Sequence, residues 1–202
     1  MKTLLFLAGF LASFPLLAQE QTLIGSSSID HGGYGALVVK FTSVNDRLGV
    51  LVGGRGGWII DHTFAIGGAG YGLVNRVPAK GIGPFGQQYL NFGYGGLDLE
   101  YIANSNSLVH YSLHTLIGAG MVGYRSADWE DVSWTHGDGW DARQDRFFVI
   151  EPGANIDVNV TTWFRASAGA SYRFIGGVGS DASTGKDLSG PSGMLTLRFG
   201  SF

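Results

Sequence analysis

The chain has 202 residues and a formal net charge of −3, and only 14% of its residues are charged, well below the roughly 25% typical of soluble domains. Aromatic residues make up 13%, glycine occupies 34 positions and cysteine is absent. So few charges, slightly negative in balance, exclude the basic surface of a nucleic-acid-binding protein. The lack of cysteine excludes disulfides, thiolate metal sites and a lipid-modified amino-terminal cysteine.

The amino-terminal residues have the features of a secretory signal peptide. Lys2 supplies a short positive region, an apolar run covers residues 4–17, and Ala18 precedes a cleavage point. We therefore divide the chain into a signal peptide (1–18), a lead-in (19–32) and a single domain (33–202). A single amino-terminal membrane helix is the alternative. No later apolar run approaches the roughly 18 residues that a spanning helix needs, so the exported chain is either soluble or a β-barrel.

Alternation of apolar and polar residues with a period of two dominates the remaining chain, which is typical of half-buried β-strands. Sustained helical periodicity is nearly absent. The predicted strands are residues 33–42, 48–60, 63–75, 89–101, 108–124, 147–160, 163–174 and 194–202. In the fourth strand, Gly95 and Gly96 suggest a bulge, because the first half of that strand alternates poorly.

On every predicted strand one face is apolar and uncharged, and the charges collect on the opposite face. The charged-face residues are Lys40, Arg55, Asp98, Glu100, His110, His114, Glu151, Asp157, Arg165, Arg173 and Arg198. A soluble sheet would turn its apolar face toward a core, whereas a membrane barrel would turn it toward lipid. In the barrel the charged face becomes a paired network filling the lumen, because unpaired ions at membrane depth are costly. A narrow proton or ion path is the functional alternative.

The lengths of the connections favour the membrane barrel. Residues 61–62 and 161–162 form tight turns, and residues 102–107 are also short. The connections 43–47, 76–88, 125–145 and 175–193 are longer and mostly polar. Short and long connections therefore fall at opposite ends, as in bacterial outer-membrane barrels. The sequence predicts an all-β fold, an eight-stranded antiparallel up-and-down transmembrane β-barrel.

With these strands and connections the chain resembles the small outer-membrane barrels of the outer-membrane protein A and X classes. The resemblance covers residues 33–202 and includes Phe202, which matches the carboxy-terminal aromatic residue of that class. It implies residence in the outer membrane of a Gram-negative-type bacterium, contact with lipid and lipopolysaccharide, and insertion by the barrel assembly machinery. It also implies a non-catalytic role in envelope structure or surface interaction.

Two other functions remain open. The sequence His110-Tyr111-Ser112 is similar to the His-x-Ser motif of the lipid A deacylases, which are also small barrels, and Glu100 supplies a candidate acid. Asparagine follows the serine in that family, whereas Leu113 follows it here. A soluble, lipocalin-like binder of a small apolar ligand is the other alternative.

Neither a cofactor nor a metal site is predicted. The glycine motif at residues 118–123 follows a strand, but no helix follows it, so a dinucleotide site is not expected. His110 and His114 are four residues apart on a strand, roughly 13 Å, which is too far for one metal ion.

The connection at residues 125–145 is the most distinctive segment. Trp129, Trp134 and Trp140 lie among acidic residues that include Asp138 and Asp141. Such a loop suits an external ligand, namely a glycan, calcium or a protein, although the acids do not match an EF-hand. A self-packed cap over the barrel mouth is the alternative.

Aromatic and glycine residues complete the expected outer surface. Trp58, Trp163 and Tyr101 fall near the short-turn end, where they would form an interfacial girdle. Residues 49–75 form a glycine-rich hairpin. Its outward glycines leave space for a lipid chain or a partner, or only relieve curvature; they are Gly54, Gly56, Gly68, Gly70 and Gly72.

Overall fold

The computed structural model describes residues 30–83, 86–126, 145–178 and 184–202. The predicted signal peptide therefore lies outside the described residues. The elements are β1 (His31–Val44), β2 (Arg47–Ile60), β3 (Phe64–Leu73), β4 (Pro78–Gly83), β5 (Gly86–Ala103), β6 (Val109–Ser126), β7 (Asp145–Asn159), β8 (Phe164–Gly176), α1 (Gly185–Leu188) and β9 (Gly190–Ser201). Within these ranges no helix is long and apolar enough to cross a membrane.

Eight of the strands form a closed antiparallel barrel. Each barrel strand pairs with its neighbours along the chain, and the ring closes where β1 pairs with β9. Strand β3 pairs directly with β5, so β4 lies outside the ring and pairs only with the projecting start of β5. The predicted eight-stranded up-and-down barrel is confirmed, and β4 is an addition that the sequence analysis placed within a loop.

The two ends of the barrel carry different connections. The turn between β2 and β3 closes through a hydrogen bond from Thr63 N–H to the Ile60 carbonyl, at 3.1 Å. At the opposite end Asn45 and Asp46 both have positive φ and join β1 to β2 as a two-residue hairpin, the geometry of a type I′ turn. The expectation of a longer loop at residues 43–47 was therefore wrong. We call this the loop end, because β3, β6 and β8 also end there.

Strand β5 is continuous, which corrects the suggested bulge. Gly95 pairs with Gly70 on one side and Ala119 on the other, and Gly96 pairs with Ala69 and Gly118 in unbroken register. The inward-facing glycines allow neighbouring strands to approach each other closely. A Cβ added at Gly67 would lie 2.0 Å from the Gly56 carbonyl oxygen, so the strong coiling of this wall requires a residue without a side chain.

The barrel orients its apolar face outward. Leu37, Ile156 and Leu195 are 65%, 62% and 55% exposed, and many other large outward side chains of the barrel strands are also exposed. Charged side chains occupy the interior. The predicted phase of all eight strands therefore agrees with the structure, and the arrangement is opposite to the apolar core that a lipocalin-like binder requires.

The interior at the loop end is packed with apolar side chains. Its fully or almost fully buried side chains are Val44, Leu51, Val77, Phe92, Val122, Phe147, Val149 and Leu188. Leu188 belongs to α1, and the backbone of that turn is held by a hydrogen bond from Asn45 N–H to the Asp187 carbonyl, at 2.9 Å. This cluster forms an apolar layer across the barrel mouth.

A salt bridge fastens β4 to α1. The Lys80 ammonium donates a hydrogen bond to the Asp187 carboxylate and lies 3.2 Å from Asp46. The hydrogen bond from Lys80, together with that from the Thr184 backbone, lowers the pKa of Asp187 to about 2. Because Asp187 stays ionised far into acid, acidification does not release this salt bridge until the pH falls to about that value.

Candidate functional site: the barrel interior

All eleven predicted charged-face residues are buried in the barrel interior. They come from seven barrel strands whose inward positions alternate with lipid-side positions, so strand geometry alone places them on one side of the wall. The structure brings most of them together in three clusters, each centred on one carboxylate.

Glu100 is the centre of the first cluster. Arg198 donates two hydrogen bonds to its carboxylate, at 2.8 and 3.2 Å, in the bidentate geometry that makes arginine–carboxylate pairs strong. Arg55 donates a further bond at 3.2 Å, and the Tyr34 hydroxyl donates one at 3.1 Å. One carboxylate on β5 thereby joins β1, β2 and β9 across the lumen.

Glu151 is the centre of the second cluster. It accepts hydrogen bonds from Lys40 Nζ at 2.9 Å, the Tyr94 hydroxyl at 2.6 Å and the Ser171 hydroxyl at 2.5 Å. The Lys40 ammonium also lies 3.6 Å from the centre of the Tyr71 ring, a cation–π contact. This buried charge is thus satisfied from β1, β5 and β8.

Asp157 is the centre of the third cluster, and it accepts a hydrogen bond from Ser112, the serine of the deacylase-like motif. The hydroxyl of Ser112 donates to Asp157 Oδ2 at 2.7 Å, and Ser167 donates to the other oxygen. His110 instead contacts the Ser107 carbonyl at 3.2 Å, and His114 contacts Asn155 at 3.2 Å. Within the described residues no histidine hydrogen-bonds to Ser112, so the Ser–His pair that acyl transfer needs is not formed.

Three charged side chains form no hydrogen-bonded ion pair with an oppositely charged residue that the structure describes. Asp98 lies 3.6 Å from Arg55, and neither of its oxygens has a hydrogen-bond partner among the described residues. Arg173 donates to the Leu188 carbonyl at 2.9 Å and stacks over Phe92. Arg165 contacts the Ser105 carbonyl at 3.4 Å and the Phe202 ring at 3.9 Å. Five cations and four carboxylates therefore leave one surplus positive charge inside the barrel.

Several members of these clusters were not singled out from the sequence. Tyr34, Tyr71 and Tyr94 are large aromatic residues whose residue type alone does not separate them from lipid-facing ones. Their signal is phase, since Tyr94 is an even number of residues before Asp98 and Glu100 on β5 and so points inward. Phe202 also points inward onto Arg165, whereas Phe199 is the last outward aromatic residue and stacks on Phe164 at 5.0 Å.

The outer wall carries aromatic residues at the short-turn end. Trp58 and Trp163 are 50% and 59% exposed. Trp163 stacks on Phe199 at 6.2 Å, and Tyr101 lies 5.4 Å from Phe64. These contacts place aromatic side chains in a band around that end.

The loop site predicted within residues 125–145 falls mostly outside the described ranges. Trp129, Trp134, Trp140, Asp138 and Asp141 lie outside the described residues, because that connection falls within 127–144. Across the described part of the chain, no group of three or more histidine or acidic side chains could hold a metal ion.

Comparison with known proteins gives matches in structure only. No protein-family model matches the chain, and no curated protein matches its sequence. The amino-terminal barrel domain of OprF from Pseudomonas aeruginosa aligns with a TM-score of 0.51 at 13% identity, covering 86% of this chain and 99% of that one. The chain has the fold of the small outer-membrane barrels. Neisserial surface protein A (NspA) aligns with a TM-score of 0.54, also at 13% identity, over 85% of this chain and 98% of its own.

Proposed function

We propose that this protein is a resident of a Gram-negative-type outer membrane, with a non-catalytic role in envelope structure or surface interaction through its loop end. The observation that carries the proposal is the inverted distribution of side chains. Apolar residues cover the outer wall, and ion pairs fill the interior. This distribution is stable when the outward apolar side chains are buried in lipid. It would be unstable if the same wall were exposed to water.

A closed interior argues against a role as a diffusion pore. The clusters on Glu100 and Glu151 cross the lumen, and the apolar layer spans the loop end. An eight-stranded barrel has an interior just wide enough for its own side chains. We therefore assign no porin-like conduction, and the loops remain the surfaces available for contact with partners outside the cell.

The proposal predicts location and orientation together. The protein is expected in the outer-membrane fraction, with a gel mobility that changes on boiling, because a folded barrel resists detergent. An epitope tag inserted within residues 127–144 is expected to react with antibody on intact cells. A tag placed between residues 19 and 30, in the lead-in, is expected to react only after permeabilisation, since β1 begins at the short-turn end.

Two results would overturn the proposal. Recovery of the protein in the soluble fraction without a mobility change would exclude the membrane barrel. Antibody access to the tag before residue 30 on intact cells, with the loop tag hidden, would reverse the orientation. Export by the signal peptide, insertion by the barrel assembly machinery and an external ligand at residues 125–145 belong to the same proposal.

A further inference from the structure

One buried guanidinium lies under the apolar layer without a carboxylate beside it. Arg173 is fully buried, and no ion pair joins it to any residue that the structure describes. Its Nη2 donates to the Thr42 hydroxyl at 3.3 Å, and its Nη1 has no hydrogen-bond partner among the described residues. A buried charge that only neutral groups contact is costly, because its desolvation is not offset by an opposite charge.

Leu188 of α1 occupies the place directly above this guanidinium. Its carbonyl oxygen accepts a hydrogen bond from Arg173 Nε at 2.9 Å, and its fully buried side chain belongs to the apolar layer. One residue therefore puts an oxygen acceptor on the guanidinium and a branched aliphatic chain among apolar neighbours. The acceptor is neutral, whereas a guanidinium binds a carboxylate more strongly, through paired and charge-assisted hydrogen bonds.

The turn that carries Leu188 is fastened by contacts at the surface. Lys80 on β4 donates to the Asp187 carboxylate, and the side chains of both residues are partly exposed. Exposed ion pairs of this kind contribute little to stability. Since α1 has only four residues, it is too short to hold its own position, which depends on this salt bridge and on the burial of Leu188.

We propose that the loop-end mouth of the barrel binds a monocarboxylate with a short aliphatic chain, and that α1 is the lid of this site. The carboxylate takes the place of the Leu188 carbonyl on Arg173, and the aliphatic chain takes the place of the Leu188 side chain. Binding then neutralises the surplus positive charge of the lumen. The inference goes beyond the proposed function, since binding at this mouth requires only the fold of the barrel.

Three variants and one control test the site. Arg173→Met keeps an aliphatic side chain and removes the charge. Leu188→Ala shortens the side chain that the ligand replaces, and Lys80→Gln removes the salt bridge that fastens the lid. Arg165→Met is the matched control, because Arg165 is the other buried lumen arginine without an ion pair and lies at the short-turn end, on Phe202.

The probe is 4-methylpentanoate, which has the carbon skeleton of leucine without its amino group. The matched probe 4-methylpentan-1-ol has the same skeleton without the charge. The measurement is NMR of the folded full chain in lipid nanodiscs, in which the arginine Nε–H signals are followed while each probe is added. In the native chain the acid is expected to shift the Arg173 signal saturably and to bind at least about tenfold more tightly than the alcohol.

The variants are expected to separate the guanidinium from the lid. Arg173→Met should bind the acid no better than the alcohol, whereas Arg165→Met should keep the native preference. Leu188→Ala and Lys80→Gln should each bind the acid about fivefold more tightly than the native chain, because a larger fraction of the molecules has the site open.

Three results would overturn the proposal. These are equal affinity of the native chain for acid and alcohol, a preference for the acid that persists in Arg173→Met, and no gain in affinity in either lid variant. If Arg173→Met does not fold, as judged by gel mobility on boiling, the Arg173 signal of the native chain and of Lys80→Gln decides. The absence of a saturable shift in both would overturn the proposal and leave the outer-membrane location, which is measured in cells, untouched.

Discussion

Replacing Glu100 with alanine is expected to lower the free energy of unfolding by about 3–5 kcal/mol. The variant leaves Arg55 and Arg198 buried in the lumen without the carboxylate that accepts their hydrogen bonds. Removing one partner of a buried ion pair is more damaging than removing an exposed pair, because the remaining charge stays desolvated. Urea unfolding of the barrel in lipid vesicles, followed by tryptophan fluorescence and gel mobility, measures the loss.

Asp30→Ala is the matched control for this prediction. Asp30 is an exposed acid 3.5 Å from His62, so its loss is expected to cost no more than about 1 kcal/mol. If Glu100→Ala unfolds at the same urea concentration as the Asp30 variant, the bidentate cluster does not stabilise the barrel. A stabilised Glu100→Ala variant would contradict the account of the interior more strongly.

Leu195→Arg is expected to cost about 2–4 kcal/mol in a bilayer, because the side chain faces outward near the middle of β9. A charge at that depth must leave water for hydrocarbon or distort the membrane around it. Leu108→Arg is the control: Leu108 is 69% exposed but lies in the turn before β6, where the cost is expected to be about 0–1 kcal/mol. The same urea titration in vesicles measures both.

The difference in unfolding midpoint between Leu195→Arg and Leu108→Arg is the decisive quantity. Both add one positive charge to a leucine that is open on the outer surface. If the outer wall faced water, neither arginine would be penalised and their unfolding midpoints would agree. Equal midpoints would therefore contradict the assignment of the outer wall to lipid.

The phase of the strands could be predicted from the sequence because burial repeats every second residue. Arg165, Ser167, Ser171 and Arg173 alternate with small or aromatic outward residues on β8, and that pattern alone identified the inward face. Asp61 and His62 could be predicted as a tight turn because strong alternation resumes immediately on both sides.

Other features depend on geometry that the pattern does not contain. Glu100 and Arg198 are 98 residues apart, and their contact follows from the closure of β1 on β9 and the stagger of the strands. Strand β4 has a proline, two glycines and only six residues, so its sequence favours a turn. Its strand form comes from pairing with the projecting part of β5.

The deacylase-like motif shows how a local match can mislead. His110 and Ser112 are two residues apart on β6, so both point inward and lie along the strand. Asp157 on the adjacent strand β7 takes the serine hydroxyl. The motif residues therefore belong to the interior polar network, and a sequence match of three residues could not reveal the strand that lies beside them.

The most direct test of the inverted distribution is a pair of single cysteines on β8, introduced into a chain that has no native cysteine. A spin label on Ala168→Cys, which points outward, is expected to collide more with oxygen dissolved in lipid than with an aqueous nickel chelate. Ser167→Cys, which points inward, is expected to resist labelling until the barrel unfolds. Preferential collision of the Ala168→Cys label with nickel, together with ready labelling of folded Ser167→Cys, would contradict the lipid-facing wall and the filled lumen.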